Sequence, residues 1–389
     1  MITSKKKSIS RKKGRVSSSK TRVRKSSKTS KSVVRKRKKD SPRSSRIASK
    51  GTAITLKRFE GNPIIEPLRG VNWESKATFN PSAIYGDGKV HIIYRAIGEG
   101  DVSMFGYARS RDGLVFDERG SGPAFFQTAP SRVEKLAIQI PYSSGGGWNG
   151  GSEDPRLTRI ETKVYMLYTS FDGWGSIRIA LTSILFDDFV RGKWNWNKPV
   201  YISPPGEVHK NWVLFPEKIK GKYAILHSIS PRILIDYVNN LDEFDGTKFI
   251  RSNNPGGSGN AGSWDNWMRG AGPAPLKTKH GWLVLYHAMD VHDPNRYKVG
   301  AMLLDLNDPT RILYRASAPI LEPDEKYENE GYKTGVVYAC GAVIVDEWLF
   351  VYYGGADRVA CVAVAKIEPF LKELMSSGEV KLKRTRTLK

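Results

Sequence analysis

One short unit recurs along the chain and restricts its fold more than any other feature: a turn rich in Gly, Asp or Lys, then a strand with an aromatic-rich end. The copies read GKVHIIYRA (88–96), TKVYMLYTS (162–170), GKYAILHSI (221–229), HGWLVLYHA (280–288) and DEWLFVYYG (346–354). Their matching positions Tyr94, Tyr168, His227, Tyr286 and Tyr352 are 74, 59, 59 and 66 residues apart. Each turn is preceded by a run that reads as a strand: NPSAIYG, DPRLTRI, FPEKIKG, GPAPLKT and CGAVIVD. A third strand follows in four copies, as FGYARSRDG, IRIALTSILFDDF, ILIDYVNNLDEF and YKVGAMLLDLNDP, and the last copy ends on RVACVAVAKIE. Self-similarity at this period predicts an all-β fold, a five-bladed β-propeller. A row of separate β-sandwiches would need linkers, and the sequence has none between units. The run NNPGGSGNAGSW (253–264) lies inside a unit and reads as a mobile loop. EPFLKELMSSG (368–378) reads as one short helix before a basic end.

Charge separates a second region from this repeat. Residues 1–50 hold 21 of the 63 Lys and Arg but only one of the 39 acids, Asp40, so they supply +20 of the formal +24. The remaining 42 basic and 38 acidic residues nearly cancel. A Lys/Arg/Ser-rich segment without aromatics cannot bury enough surface to offset its ordering entropy, so a disordered tail is expected. The domain reading is therefore a tail at 1–50, a propeller at 51–368, and a short helix with a basic end at 369–389. The tail fits non-specific nucleic acid or another polyanion, through counterion release. It lacks the apolar stretch of a secretory signal, and no run reaches the roughly 18–20 apolar residues of a membrane span. The two cysteines, Cys340 and Cys361, sit in apolar strand-like stretches, and the six histidines form no metal-ligand spacing. A reduced, cytoplasmic chain with no metal is the expectation.

In a propeller the innermost strands converge on one mouth, so the residues opening each unit face one another. That column reads Asn80 and Pro81; Glu153, Asp154, Pro155 and Arg156; Pro216, Glu217 and Lys218; Gly272 and Pro273; Cys340 and Gly341. The column just past each aromatic reads Arg95, Thr169, Ser228, His287 and Tyr353, with Asp172, Asp290 and Asp357 beyond it. Acids, bases and aromatics gathered at one mouth are the materials of a carbohydrate site. Singly, each has an ordinary reading. Pro after Asn80 or Asp154 sets an extended strand entry, Arg156 pairs with an acid of a neighbouring blade, Lys218 is a solvated turn charge, and the tyrosines are core. Recurrence in the same slot is what favours a site.

Ten motifs then follow in order between about Leu56 and Ala365: NPIIEP, ESKATFNPSAIY, IIYRA, SEDPRL, LFPEKIKGKY, GAGPAPLKT, GWLVLYH, GAMLLDLNDPTRIL, PILEPDEKYENEG and YYGGAD. In this arrangement the chain closely resembles the β-mannoside phosphorylases and their hydrolase relatives, a glycoside hydrolase family with a five-bladed propeller. The resemblance implies that Asp154 is the general acid, in some members acting through a sugar hydroxyl. It implies that Asn80, Arg95, Glu153, Arg156, Asp172 and Asp357 hold the mannose, and His287 joins them from the column above. It further implies no cofactor, with inorganic phosphate as co-substrate attacking with inversion to give α-mannose 1-phosphate from an oligosaccharide. One protein acid then suffices, with cations holding the anion. The chain departs from the pattern where Ser228 replaces a usual arginine, and where Met268 and Arg269 stand at a common lysine. Lys210 falls where a phosphate contact is expected, and Lys218, Arg232 and Arg269 are the further candidates. The alternatives are an inverting hydrolase, whose second carboxylate as base would be Glu217 or Glu330, and a sugar-binding propeller without turnover. Loops and subunit contacts, rather than these motifs, set the linkage (β-1,2 or β-1,4), the acceptor and any oligomer.

Overall fold

The computed structural model describes residues 56–127, 150–171, 177–251 and 263–377. The basic tail, Asp172, most of the Gly/Asn-rich run and the basic C-terminal end lie outside the described residues. The described chain is all-β with a few short helices, as the repeat predicts. It opens with β1 (Lys57–Arg58), followed by an antiparallel meander of β2 (Ala77–Gly86), β3 (Lys89–Ile97), β4 (Ser103–Ser110) and the short β5 (Glu118–Arg119). The next meander is β6 (Gly151–Ile160), β7 (Lys163–Phe171), β8 (Ile177–Leu185) and β9 (Val200–Tyr201). A parallel bridge between Ser103 and Gly151 joins these two into one sheet. A three-stranded sheet follows, of β10 (Val213–Leu214), β11 (Tyr223–Ser228) and β12 (Leu234–Val238). Then come β13 (Trp267–Ala271), β14 (Leu276–Thr278), β15 (Gly281–Asp290), β16 (Asp293–Leu304) and β17 (Ile312–Arg315). The last strands are β18 (Val337–Val345), β19 (Trp348–Gly355) and β20 (Val359–Lys366).

β1 joins this final sheet, pairing antiparallel with β20 so that Lys57 faces Val364. Side chains reinforce the join. Asn62 donates from Nδ2 to the Val362 carbonyl and accepts the Val362 N–H, both at 2.9 Å. Arg58 grips the buried carboxylate of Glu328 with Nε at 2.8 Å and Nη2 at 2.9 Å, and Tyr353 donates its hydroxyl to the same group. The helix α3 (Ile367–Ser377), expected from its sequence, follows directly and buries Ile367, Phe370, Leu371 and Leu374.

The recurring aromatics are core. Tyr94, Tyr168, Tyr286 and Tyr352 are fully buried, and each hydroxyl still finds an acceptor: Glu74, Gln127, Asp265 and the Gly113 carbonyl respectively. Across the ladder their partners are Gly106, Ala180, Gly300 and Val362. At two of these positions the ring lies flat over a glycine. Three expected strands are shorter than the sequence pattern. FPEKIKG is mostly turn after Val213–Leu214, and GPAPLKT is strand only over Leu276–Thr278. Pro216 and Pro273 offer no N–H to a ladder, which confines pairing to their flanks. The end of IRIALTSILFDDF turns instead into the helix α1 (Phe186–Val190), whose first turn carries Asp187 and Asp188. Among the described residues no helix is long and apolar enough to cross a membrane.

A Cβ added at Gly106 would lie 2.3 Å from the Tyr94 ring, whereas one at Gly122 meets nothing within 4 Å. Gly106→Ala is expected to cost about 1–3 kcal/mol through overpacking, seen as a lowered thermal midpoint, while Gly122→Ala leaves it nearly unchanged.

Candidate active site

In four sheet-opening strands the ladder slips by one residue at a similar level. Bulges separate Phe79 from Ser82 in β2, Glu153 from Arg156 in β6, Met268 from Gly270 in β13 and Ala339 from Gly341 in β18. Asn80–Pro81 and Asp154–Pro155 occupy the first two, and Arg269 and Cys340 the others. The extended geometry expected before each proline does not hold: φ is +50° at Asn80 and +52° at Asp154. Proline removes the ladder donor and so permits the bulge, while Asn and Asp are the non-glycine residues that best tolerate left-handed backbone. Such a conformation costs of order 1–3 kcal/mol and persists only where its surroundings enforce it.

Asp154 is only 5% exposed. Its Oδ1 accepts from Asn80 Nδ2 at 2.8 Å and lies 3.5 Å from Arg95 Nη1. Arg95 also donates from Nη2 to Glu153 Oε1 at 2.9 Å and from Nε to Ser103 Oγ at 2.8 Å. The other Glu153 oxygen takes Lys210 Nζ at 3.1 Å. Two carboxylates and two cations are thus locked in one buried cluster. Burial alone would raise the Asp154 pKa, but Lys210, Arg95 and Arg156, with the Asn80 hydrogen bond, outweigh it and hold the group at about 2. Asp357, also at positive φ, moves the other way: burial raises it, against Lys333 and Arg95. Neighbouring charge and burial thus push the two carboxyls in opposite directions.

Arg156 points into the same region but is held from several sides. Its Nη1 donates to the Ala271 carbonyl at 3.1 Å and to that of Gly272, and its Nη2 donates to Asn211 Oδ1 at 2.9 Å and Tyr338 Oη at 3.2 Å. It therefore ties β6 to β13 and β18, a larger task than the single ion pair expected. Asn211 (φ +65°) completes the knot by donating Nδ2 to the Arg269 carbonyl at 2.9 Å. His287 stacks on Tyr338 at 3.9 Å and donates Nε2 to the Ala339 carbonyl at 2.9 Å. Burial, then Arg156, lowers its pKa to about 3, so the imidazole is neutral at any working pH.

Other candidates lie apart. Lys218 sits over the Tyr223 ring at 4.7 Å and shares a surface depression with Glu217 and Lys277. Lys277 pairs with Trp282 at the start of β15. His287 lies five residues further along that strand, roughly 17 Å at the rise of an extended chain. On this geometry Lys218 lies with its surface turn, where the ordinary reading of a solvated turn charge fits it. The side chain of Arg232 is in an exposed stretch, where its backbone carbonyl accepts from Ser228 Oγ. Arg269 does reach the neighbourhood of His287, over the Trp267 ring at 5.1 Å. Neither hydrolytic base candidate is in the cluster: Glu217 pairs with Lys277 at 2.5 Å and Glu330 with Lys326 at 3.6 Å, both exposed. Sequence reasoning missed Asn211 and Tyr338. Asn211 adjoins Lys210 in HKNW, but only its long-range partners reveal a role. Among the described residues no group of three or more acidic, His or Cys side chains could hold a metal.

The glycoside hydrolase family 130 pattern, described as β-1,4-mannooligosaccharide phosphorylase, matches residues 55–376. The chain belongs to this family. The resemblance carried by the ten motifs is therefore borne out. The chain is 37% identical over 325 residues to a 1,2-β-oligomannan phosphorylase of Thermoanaerobacter sp. (strain X514), covering 81% of this chain and 98% of the relative. It is 36% identical over 328 residues to a β-1,2-mannobiose phosphorylase of the same organism, covering 80% and 98%. The solved structure of a β-1,2-mannobiose phosphorylase from Listeria innocua, in complex with β-1,2-mannobiose, aligns at TM-score 0.61 and 26% identity, over 82% of this chain and 99% of that one.

The depressed Asp154 pKa has a definite sign for this family member. The carboxylate contributes stability that is fully present above the ordinary aspartate range, near pH 4, and is lost as pH falls through about 2. Denaturation midpoints measured over that window should fall more steeply for the wild type than for Asp154→Asn.

Proposed function

We propose that this chain is an inverting β-mannoside phosphorylase acting on β-1,2-linked oligomannosides, built as a five-bladed propeller over 51–368. The pairing of β1 with β20 and the parallel bridge between β4 and β6 support a closed ring of blades. The printed names of the relatives at 36–37% identity favour β-1,2 over the β-1,4 of the family description. The observation that carries the reaction is Asp154, a buried carboxyl on a strained bulge inside a ring of Asn80, Arg95, Arg156 and Lys210.

In the unliganded site these cations keep Asp154 ionised. A phosphate anion beside Lys210 and Arg269 offsets them, and the Asp154 pKa rises toward the range in which it carries a proton. In this reading mannose is held by Asn80, Arg95, Glu153, Arg156 and Asp357, with His287 beside them; Asp172, assigned to the same task by the family motif, lies outside the described residues. The phosphate oxygen attacks the anomeric carbon from the face opposite the leaving group while Asp154 protonates the departing glycosidic oxygen. The proton left on the new phosphate ester restores the acid, so the products are α-mannose 1-phosphate and the shortened acceptor. Hydrolysis would need a second carboxylate free to activate water. Glu153 is held by Arg95 and Lys210, and Glu217 and Glu330 are paired elsewhere, so of the acids named here only Asp357, assigned in this reading to the mannose, is left for that alternative.

Incubation with β-1,2-mannobiose should release α-mannose 1-phosphate only when phosphate is present. Free mannose released at the same rate without phosphate would refute the phosphorylase reading. Asp154→Asn should lower kcat by about 10²–10⁴-fold with sugar binding retained, whereas full activity in this variant would remove it as the acid. Lys210→Ala should raise the KM for phosphate at least about tenfold, the order expected for one lost charge-assisted contact, and shift the alkaline limb of the pH profile, where Asp154 loses its proton, upward.

A further inference from the structure

A second cleft lies away from the bulges, with a volume of about 450 Å³, where β4 and β5 meet the segment that follows α1. Its size is that of a small-molecule site. Three arginines line it, Arg109, Arg119 and Arg191, against one acid, Glu118. Two of the guanidiniums are fixed before any ligand arrives. Arg119 donates to Glu74 at 2.6 Å, to the Tyr94 hydroxyl at 2.9 Å and to the Glu66 carbonyl at 3.0 Å. Arg109 donates to Glu118 at 2.6 Å and to the Val190 carbonyl at 2.9 Å. Arg191, on the exposed rim, has no ion-pair partner among the described residues. One wall is Trp194, set edge-on against Tyr107 at 4.9 Å and Phe189 at 5.9 Å, so that the indole is held in place.

This lining asks for a ligand with two parts. Planar guanidinium donors match the oxygens of a phosphoryl group, and an aromatic face packs against the C–H face of a sugar ring. A neutral sugar would leave the excess positive charge unanswered, and bare phosphate would leave the aromatic wall and most of the volume unused. We propose that this cleft is a second ligand site, separate from Asp154, that binds a phosphorylated monosaccharide with its phosphoryl group on Arg191 and Arg109 and its ring against Trp194. The lining carries the assignment of a phosphorylated monosaccharide, and only the choice of mannose as the sugar probed below rests on the mannoside reading.

The test is calorimetric titration of the full chain with mannose 6-phosphate, with inorganic phosphate and mannose as comparisons. The expected result is binding of mannose 6-phosphate that is at least tenfold tighter than either comparison. That binding should survive in Asp154→Asn and Lys210→Ala and weaken at least tenfold in Arg191→Glu. Arg191→Lys should weaken it less, since it keeps the charge and loses the planar fork. Because Trp194 packs on two core aromatics, Trp194→Phe serves as the second variant, with a smaller loss and an unchanged thermal midpoint. Phosphorolysis by Arg191→Glu at saturating substrate should equal that of the wild type. Three results would each overturn the proposal: no binding, equal binding of inorganic phosphate, or binding lost in Lys210→Ala but kept in Arg191→Glu. The last would put the ligand in the Asp154 site.

Discussion

Four charges buried together set the terms for the rest of the structure. Arg95, Glu153, Asp154 and Lys210 sit where isolated ions would be too costly to leave unpaired, and each is tolerable only because the others are within reach. They come from β3, from two consecutive positions of β6, and from the segment before β10, so no single sheet can assemble the cluster. Removing one member leaves its partners uncompensated in a low-dielectric interior. The fold and the chemistry therefore share one requirement: the sheets must meet at this point.

The bulges make that meeting possible. A regular strand sends neighbours to opposite faces, so Glu153 and Asp154 could not both address Arg95 from an unbroken ladder. The slip between Glu153 and Arg156, with φ of +52° at Asp154, turns consecutive side chains toward one centre. Asn80 does the same from β2 and supplies the amide that orients the carboxyl. Arg156 then binds the opening strands of three sheets through backbone carbonyls, Asn211 and Tyr338. The Asp154 carboxyl is thus held by backbone geometry and a fixed guanidinium rather than by a loop.

How much of this could be read from the chain depended on whether the signal was local. The tyrosine slots, the all-β class, the helix at 367–377 and the family motifs are patterns over a few residues, and the structure follows them. That Asp154, Asn80 and Arg95 come together was legible because the repeat puts them in matching slots of neighbouring units. Lys218 occupies the matching slot of its unit in sequence, yet the strand there ends at Leu214, before Pro216, and the side chain lies over Tyr223 in a surface depression. The bulges were invisible because Pro81 and Pro155 alone predict extended backbone. Asn211 and Tyr338 matter only through partners 55 to 182 residues away, distances at which no local pattern operates.

The clasp at β1 and β20 has a mechanical consequence. The first and last described strands share one sheet, held by Asn62 on Val362 and Arg58 on Glu328 rather than by any covalent link. Neither strand can loosen without exposing the other, so this sheet should yield as a single event instead of fraying strand by strand. Sensitivity to damage is then concentrated in a few residues far along the chain from the buried charges of β3 and β6.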